Sequence, residues 1–448
     1  MAELNPINLD TSVVSNLFID GETIPYEIIL LNNDRISTVT NHDLVEFTIQ
    51  ENINSPFYNG TLSIRNDANF FDTAKVDTSS IKGVFNFELI ETGENIILIS
   101  IKRSGLKYNY VFFIVDEVHE IRDNTKVKTF ILQDAYLSYF LYNKEPYSTS
   151  FLIDGDTTQL SNKDREVNCS DCIKNIIETS VAKDIIHKTY WEKSSNKIDY
   201  SSCYNHSVLD NIDFVLDKAL DINNTPLFLF KRNNIFQLHS ISKIYKDYFK
   251  NEYSYNYGGS FALTSDENYE ETFQNAGAIK VQNFNLYNES SDATLSKIVN
   301  TKVHNYNFKD KKFNIYNNEN TVDKTVGSIS EIFLNKLVMI DRSNNSRIKT
   351  NKYFNNVYTT TSDDSVVYEG RTNLIKNLVN VSDMLVMKTK GTFSVNTGNI
   401  VSVHHNPGRY NKNLNKLNGG WLVTGYKHIF SSNSFASEII CTKFHKLK

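Results

Sequence analysis

Two short cysteine pairs are the first candidates for chemistry. Cys169-x-x-Cys172 and Cys203-x-x-His206 offer three thiols and an imidazole, a donor set that can hold zinc in a tetrahedron. The intervening residues 173–202 make a longer loop than compact zinc modules use. Cys169 and Cys172 also flank the start of a helical pattern, where small thiols simply pack. We therefore expect buried thiols, no metal and no cofactor, with Cys169, Cys172, Cys203 and His206 as the zinc alternative.

Other constellations are weaker. His404 and His405 are adjacent in a strand-like stretch before Asn406-Pro407-Gly408. Strand neighbours point to opposite faces, so the two imidazoles do not chelate one ion and read as polar loop-edge residues. Lys243-Ile244-Tyr245-Lys246-Asp247-Tyr248-Phe249-Lys250 interleaves cations with aromatics, as a single-strand nucleic-acid groove would. Lysines along a solvated strand edge give the same pattern. The chain has no Gly-x-Ser-x-Gly, His-Glu-x-x-His, phosphate-loop or dinucleotide fingerprint. Scattered Asp and Glu could form a glycosidase pair, but sequence spacing says nothing about their distance in space. We expect no catalytic residue and no enzyme.

The elements that would position these residues are mostly strands. Leu44–Gln50, Thr61–Arg65 and Val84–Leu89 alternate apolar and polar residues, with turn signals at Asn54-Ser55-Pro56, Asn59-Gly60 and Thr92-Gly93. Ser170 is a candidate N-cap ahead of Ile173, Ile176, Ile177 and Val181. Ser207 is another, with Asp210 three residues on and Leu209, Ile212, Leu216 and Leu220 on one face. Pro226–Phe230 and Ile235–His239 form a hairpin around Asn233-Asn234. Residues 290–367 are polar, with one apolar patch from Ile329 to Val338, and read as an insertion with little structure of its own. Helical spacing returns at Leu374–Val379 before a strand-rich end.

Bulk properties bound the answer. The chain has 448 residues, 40% hydrophobic and 12% aromatic, which exceeds what a disordered chain carries. No apolar run reaches the ~18 residues of a membrane helix, and Met1–Pro6 begins no secretory signal. The net charge of -5 is unlike that of a dedicated nucleic-acid binder. Four cysteines suit a reducing compartment. Asn-rich pieces such as Asn317–Asn320 read as turns.

The most informative pattern is a repeat. Phe113–Ile121 matches Trp421–Ile429 at its apolar positions, pairing Phe113 with Trp421 and, further on, Ile131 with Ile439. The offset is 308; upstream, Thr92–Ile97 echoes Thr397–Val401 at a slightly smaller one. Two copies of one barrel account for this. The fold class expected is α+β, mainly β: two related β-barrel domains with a helical segment and a polar insertion between them. The expected division is 1–150 first barrel, 151–250 helices and hairpin, 251–290 start of the second barrel, 291–367 insertion, and 368–448 the rest of the second barrel.

With this order of elements the chain resembles the central baseplate hub proteins of contractile-tailed phages. The resemblance rests on Ser55–Ile64, Tyr200–Tyr245 and Glu369–His445, the last with Gly391–Ile400 and the hairpin from Gly420-Trp421 to Lys427-His428. The polar segment departs from it. The resemblance implies a structural virion protein of the tail baseplate, assembled in the host cytoplasm. It implies a homotrimer whose duplicated barrels form a pseudo-six-fold ring joining a hexameric tail tube to a trimeric central spike, beside other baseplate proteins. DNA would pass through the bore without specific binding, and no membrane insertion is expected. The alternatives are a hub or spike of a bacterial contractile injection system and a receptor- or glycan-binding β-protein.

Overall fold

Period-two alternation builds a first curled sheet. Its strands are β1 (Ser15–Ile19), β2 (Glu22–Asn32), β3 (Arg35–Thr38), β4 (Leu44–Asn52), β5 (Ser55–Arg65), β6 (Ile96–Arg103), β7 (Leu106–Arg122) and β8 (Thr125–Asp134). They lie in the order β1-β2-β6-β7-β8-β5-β4, with β3 also on β2. Alternate residues, among them Ile28, Phe47, Leu62, Ile97, Phe112 and Phe130, face one shared core. The computed structural model describes residues 15–65, 96–153, 166–180, 186–244, 257–263, 278–287, 302–317, 356–359, 384–405 and 417–443, except loop tips of one to four residues within these ranges. The expected strand at 84–89, the turn at 92–93, the apolar patch at 329–338, the helix at 374–379 and the basic-aromatic stretch beyond Ile244 lie outside the described residues.

A helical unit follows. It holds α1 (Ala135–Tyr142), β9 (Val167–Asn168), α2 (Cys169–Ser180), β10 (Ile186–Trp191), β11 (Lys197–Ile198), α3 (Val208–Leu216), β12 (Leu227–Arg232) and β13 (Ile235–Ser240). Ser207 caps α3 through the expected box: its hydroxyl accepts from Asp210 N–H and the Asp210 carboxylate accepts from Ser207 N–H. Ser170 is not a cap. It lies inside the first turn of α2, buried, and exchanges hydrogen bonds with Ser194. β12 and β13 pair as the expected hairpin, with Arg232 opposite Ile235.

The second barrel closes. Strands β14 (Tyr257–Leu263), β15 (Ile279–Tyr287), β19 (Met384–Lys390), β22 (Ser434–Thr442), β21 (Gly419–Ser431) and β20 (Ile400–His405) pair in a ring, β20 returning to β14. Inside lie Phe261, Leu385, Met387, Val401, Val403, Trp421, Val423 and Ile439. Between β15 and β19 the polar segment carries a sheet of its own: β16 (Lys302–Asn307) between β17 (Lys312–Asn317) and β18 (Asn356–Thr359). That exceeds the little structure expected there.

The two barrels repeat five strands in one order. β4-β5-β8-β7-β6 corresponds to β15-β19-β22-β21-β20, antiparallel at every pairing. The sixth position differs, because β2 runs antiparallel to β6 whereas β14 runs parallel to β20. The repeat also corrects the sequence register. The β7–β8 hairpin bulges between Ile114 and Asp116 and turns at Arg122–Thr125. The β21–β22 hairpin bulges between Val423 and Gly425 and turns at Ser431–Ser434. Turns and bulges superpose at an offset of 309, not 308. A slip of one residue exchanges the two faces of a strand. Trp421 thus corresponds to Phe112, not Phe113, and Ile439 to Phe130, not Ile131. Ile131 is 40% exposed and cannot share a core role with buried Ile439.

Candidate functional site

The barrels are joined by a strand that serves both. Residues 419–422 of β21 pair with β20 inside the second barrel. Beyond its bulge the same edge pairs with β4, from Gly425–Asn52 to Ser431–Glu46. Gly425 is required at the changeover, because a Cβ there would come within 2.8 Å of the Glu51 carbonyl oxygen. The hairpin tip then plugs the first barrel. Phe430 stacks on Phe47 with centroids 4.2 Å apart, and Phe435 stacks on Phe430 at 4.3 Å. Each such buried ring contributes about 1.5–3 kcal/mol by leaving water.

A buried polar cluster sits where three units meet. Asp134 ends β8 and caps α1, accepting from Tyr136 N–H at 2.9 Å and from Tyr58 N–H at 3.0 Å. It also forms an ion pair with Lys231 of β12, which is 0% exposed. The ammonium lies 4.4 Å from the centroid of Tyr58 and 4.8 Å from that of Tyr136, a favourable cation–π setting. Burial pulls Lys231 below its ordinary value, and Asp134 and then Glu51 pull it back. Tyr426 of β21, fully buried, is pushed up first by burial and then by the Glu51 carboxylate of β4. The cluster thus ties the first barrel to the helical unit and, through Glu51, to the second barrel. It resembles catalytic machinery in composition, but its residues are enclosed and it acts as a latch. The sequence signal for it is a lone lysine in the apolar strand Leu227-Phe228-Leu229-Phe230-Lys231, which the sequence reading passed over.

The four residues of the zinc alternative are only partly among the described residues. Cys169 and Cys172 lie on α2 within the helical unit's core. Burial pushes both thiols up to about 12, with Cys172 adding to the rise at Cys169. Zinc ligation needs thiolates. Cys203 lies outside the described residues, and His206 is half-buried just before α3. Among the described residues no group of three or more His, Cys, Asp or Glu side chains could hold a metal ion. His404 and His405 end β20, opposite Ala262 and Leu263 of β14, and are half-buried rather than loop-edge residues. His405 Nδ1 lies 2.6 Å from the Leu263 carbonyl oxygen.

His428 belongs to the barrel junction. It faces Tyr426, Phe393 and Phe435 at 4.4, 5.2 and 5.5 Å between centroids, and Nδ1 is 2.9 Å from Ser437 Oγ. Burial holds it down at about 3, so the ring is neutral in the folded protein.

No family model matches the chain. No curated protein matches it either. Among solved structures it is similar to a tail protein from Neisseria meningitidis MC58, with 9% identity over 93% of this chain and 96% of that one and a TM-score of 0.49. It is also similar to the 43 kDa tail protein of prophage MuSo2 from Shewanella oneidensis, with 8% identity, coverage of 93% and 98%, and a TM-score of 0.48. A third similarity is to the lidded PdpA–VgrG complex of Francisella, with 12% identity over 95% of this chain and 54% of that one and a TM-score of 0.46.

Proposed function

We propose that the protein is a structural baseplate hub of a contractile tail. It would be a homotrimer whose six barrels form a ring between a hexameric tube and a trimeric spike. The observation that carries this reading is the duplicated barrel, with matching strand order, matching bulges and a fixed offset between its hairpins. A chain with two like barrels presents six similar surfaces in three copies, which reconciles six-fold and three-fold partners. The sequence resemblance to baseplate hubs supports the same reading, as does the rigid junction, which fixes one barrel relative to the other. Its chemistry is association through strand edges and apolar surface, and catalysis has no part in it. The reading places the protein in the virion tail, with DNA passing through the bore unbound.

Native mass spectrometry tests this directly. The expected species has three times the 51.5 kDa chain mass, and electron microscopy of it should show a ring with six barrel-sized lobes. A monomer or stable dimer, both alone and with the spike protein added, would refute the trimeric hub.

A further inference from the structure

Among the described residues, the junction inside the chain has an unpaired counterpart at its two far sides. β7 corresponds to β21, and β15 to β4. β6 covers β7 only from Leu106 to Phe113. Beyond the bulge, no described strand pairs with that edge through residues 116–122. Similarly, β14 meets β15 only at Ile279 and Lys280, and no described strand pairs with that edge through residues 283–287. These are the edges that β21 and β4 use to join the two barrels within the chain.

We propose that β7 of one copy pairs antiparallel with β15 of the next, repeating the β21–β4 junction between chains and closing the ring head to tail. The registers transfer by the offsets, 309 for the hairpin and 237 for β4 onto β15, the latter set by Phe47 opposite Leu62 and Phe284 opposite Met387. His428 opposite Ile49 becomes His119 opposite Leu286. The core pair Phe430–Phe47 becomes Ile121 against Phe284, and Lys427–Gln50 becomes Val118 against Tyr287. Three of these four apolar side chains are exposed in a single chain: Ile121 at 75%, Val118 at 39% and Tyr287 at 46%. Phe284 and its neighbour Leu286 are only half-buried at the rim of the second barrel's core. The first barrel receives its plug from Phe430 and Phe435; among the described residues none takes the equivalent place in the second, which Ile121 of a neighbour would fill. Asp116 takes the place of Gly425, and the positions that would oppose it, 288 and 289, lie outside the described residues. A bare edge bearing apolar side chains is a hazard unless a partner covers it.

The occupant is thus a second copy of this chain; the number of copies in the ring rests on the trimeric reading above. The test compares the wild type with Ile121→Asp by native mass spectrometry across a concentration series, with circular dichroism as the folding check. Ile121 is solvent-exposed, so the variant should keep the wild-type spectrum. It should raise the midpoint concentration for assembly at least about 100-fold, as loss of a central anchor does. A second variant, Val118→Cys with Tyr287→Cys, should yield disulfide-linked oligomers under oxidation. Val118→Cys with Asn285→Cys, two residues out of register, should yield fewer. A trimer unaffected by Ile121→Asp, or crosslinks that ignore the register, would overturn this interface while leaving the trimeric hub standing. A wild type that stays monomeric would overturn both.

Discussion

Asp134→Ala should be among the most damaging single substitutions in the protein. It strands Lys231, fully buried, without its ion-pair partner, and breaking a buried pair on one side costs about 3–5 kcal/mol. It also removes the cap of α1, worth about 1 kcal/mol. The expected loss is therefore about 4–6 kcal/mol. Lys231→Met leaves the carboxylate with both N–H donors, from Tyr58 and Tyr136, so its loss should sit near the lower bound, about 3 kcal/mol. In the double variant Asp134→Asn with Lys231→Met, the amide keeps the cap and neither member of the ion pair remains charged. It should lie within about 2 kcal/mol of the wild type, far less than the two single losses added together. Urea unfolding followed by circular dichroism and by tryptophan fluorescence gives the comparison. Trp191 reports on the helical unit and Trp421 on the second barrel. Coincident transitions would license a single free energy. Independent, additive losses, or an Asp134→Ala loss under about 1 kcal/mol, would refute the latch.

Acid should weaken the barrel junction. His428 sits at about 3 in the folded protein against 6.5 when unfolded, so the unfolded chain takes up a proton first and stability falls as pH drops below 6.5, by about 1.4 kcal/mol per unit. The slope should be shallower over pH 4–6.5 in His428→Phe, measured by urea midpoints. Trp421→Ala should cost about 3–5 kcal/mol, whereas exposed Ile131→Ala should stay within about 0.5 kcal/mol; similar losses at both sites would reinstate the rejected register. Cys169 and Cys172 should resist a thiol reagent at pH 8 in the native protein and react after denaturation, since burial holds both at about 12; fast native labelling of either would contradict the packing of α2.

Local signals were the most readable part of the sequence. The Ser207 box, the β12–β13 hairpin and the alternation of β4 and β5 each depend on residues near one another in the chain. The duplication was also visible, because a hairpin repeated at constant offset leaves a long trace. Its register was not, since Phe112 and Phe113 are both aromatic, Leu422 follows Trp421, and a bulge hides the one residue that decides which face is inside. Ser170 misled for a similar reason: a serine before an apolar period is a cap unless the helix starts before it and a loop serine, here Ser194, claims its hydroxyl. The polar latch was illegible because Asp134 and Lys231 lie far apart in the chain and meet only when α1 and β12 pack on the barrel. The apolar residues Val118 and Ile121 aligned with apolar Tyr426 and Ile429 in sequence, yet in a single chain they face water.

The connection between β15 and β19 also sets an order of events during synthesis. The first curled sheet and the helical unit contain strands that neighbour one another in time, and both are complete once β13 has left the ribosome. β14 and β15 are made next, but β20, which pairs with β14, and β19, which pairs with β15, follow only after the polar segment has been translated. Throughout that interval β4 also waits for β21, and the first barrel waits for Phe430 and Phe435. Long-range pairing is slow to form and open to wrong partners while it waits. Rapid translation of residues 288–383 shortens the exposure of those edges, and ribosome pausing within that segment lengthens it at the point where the nascent chain has most to lose.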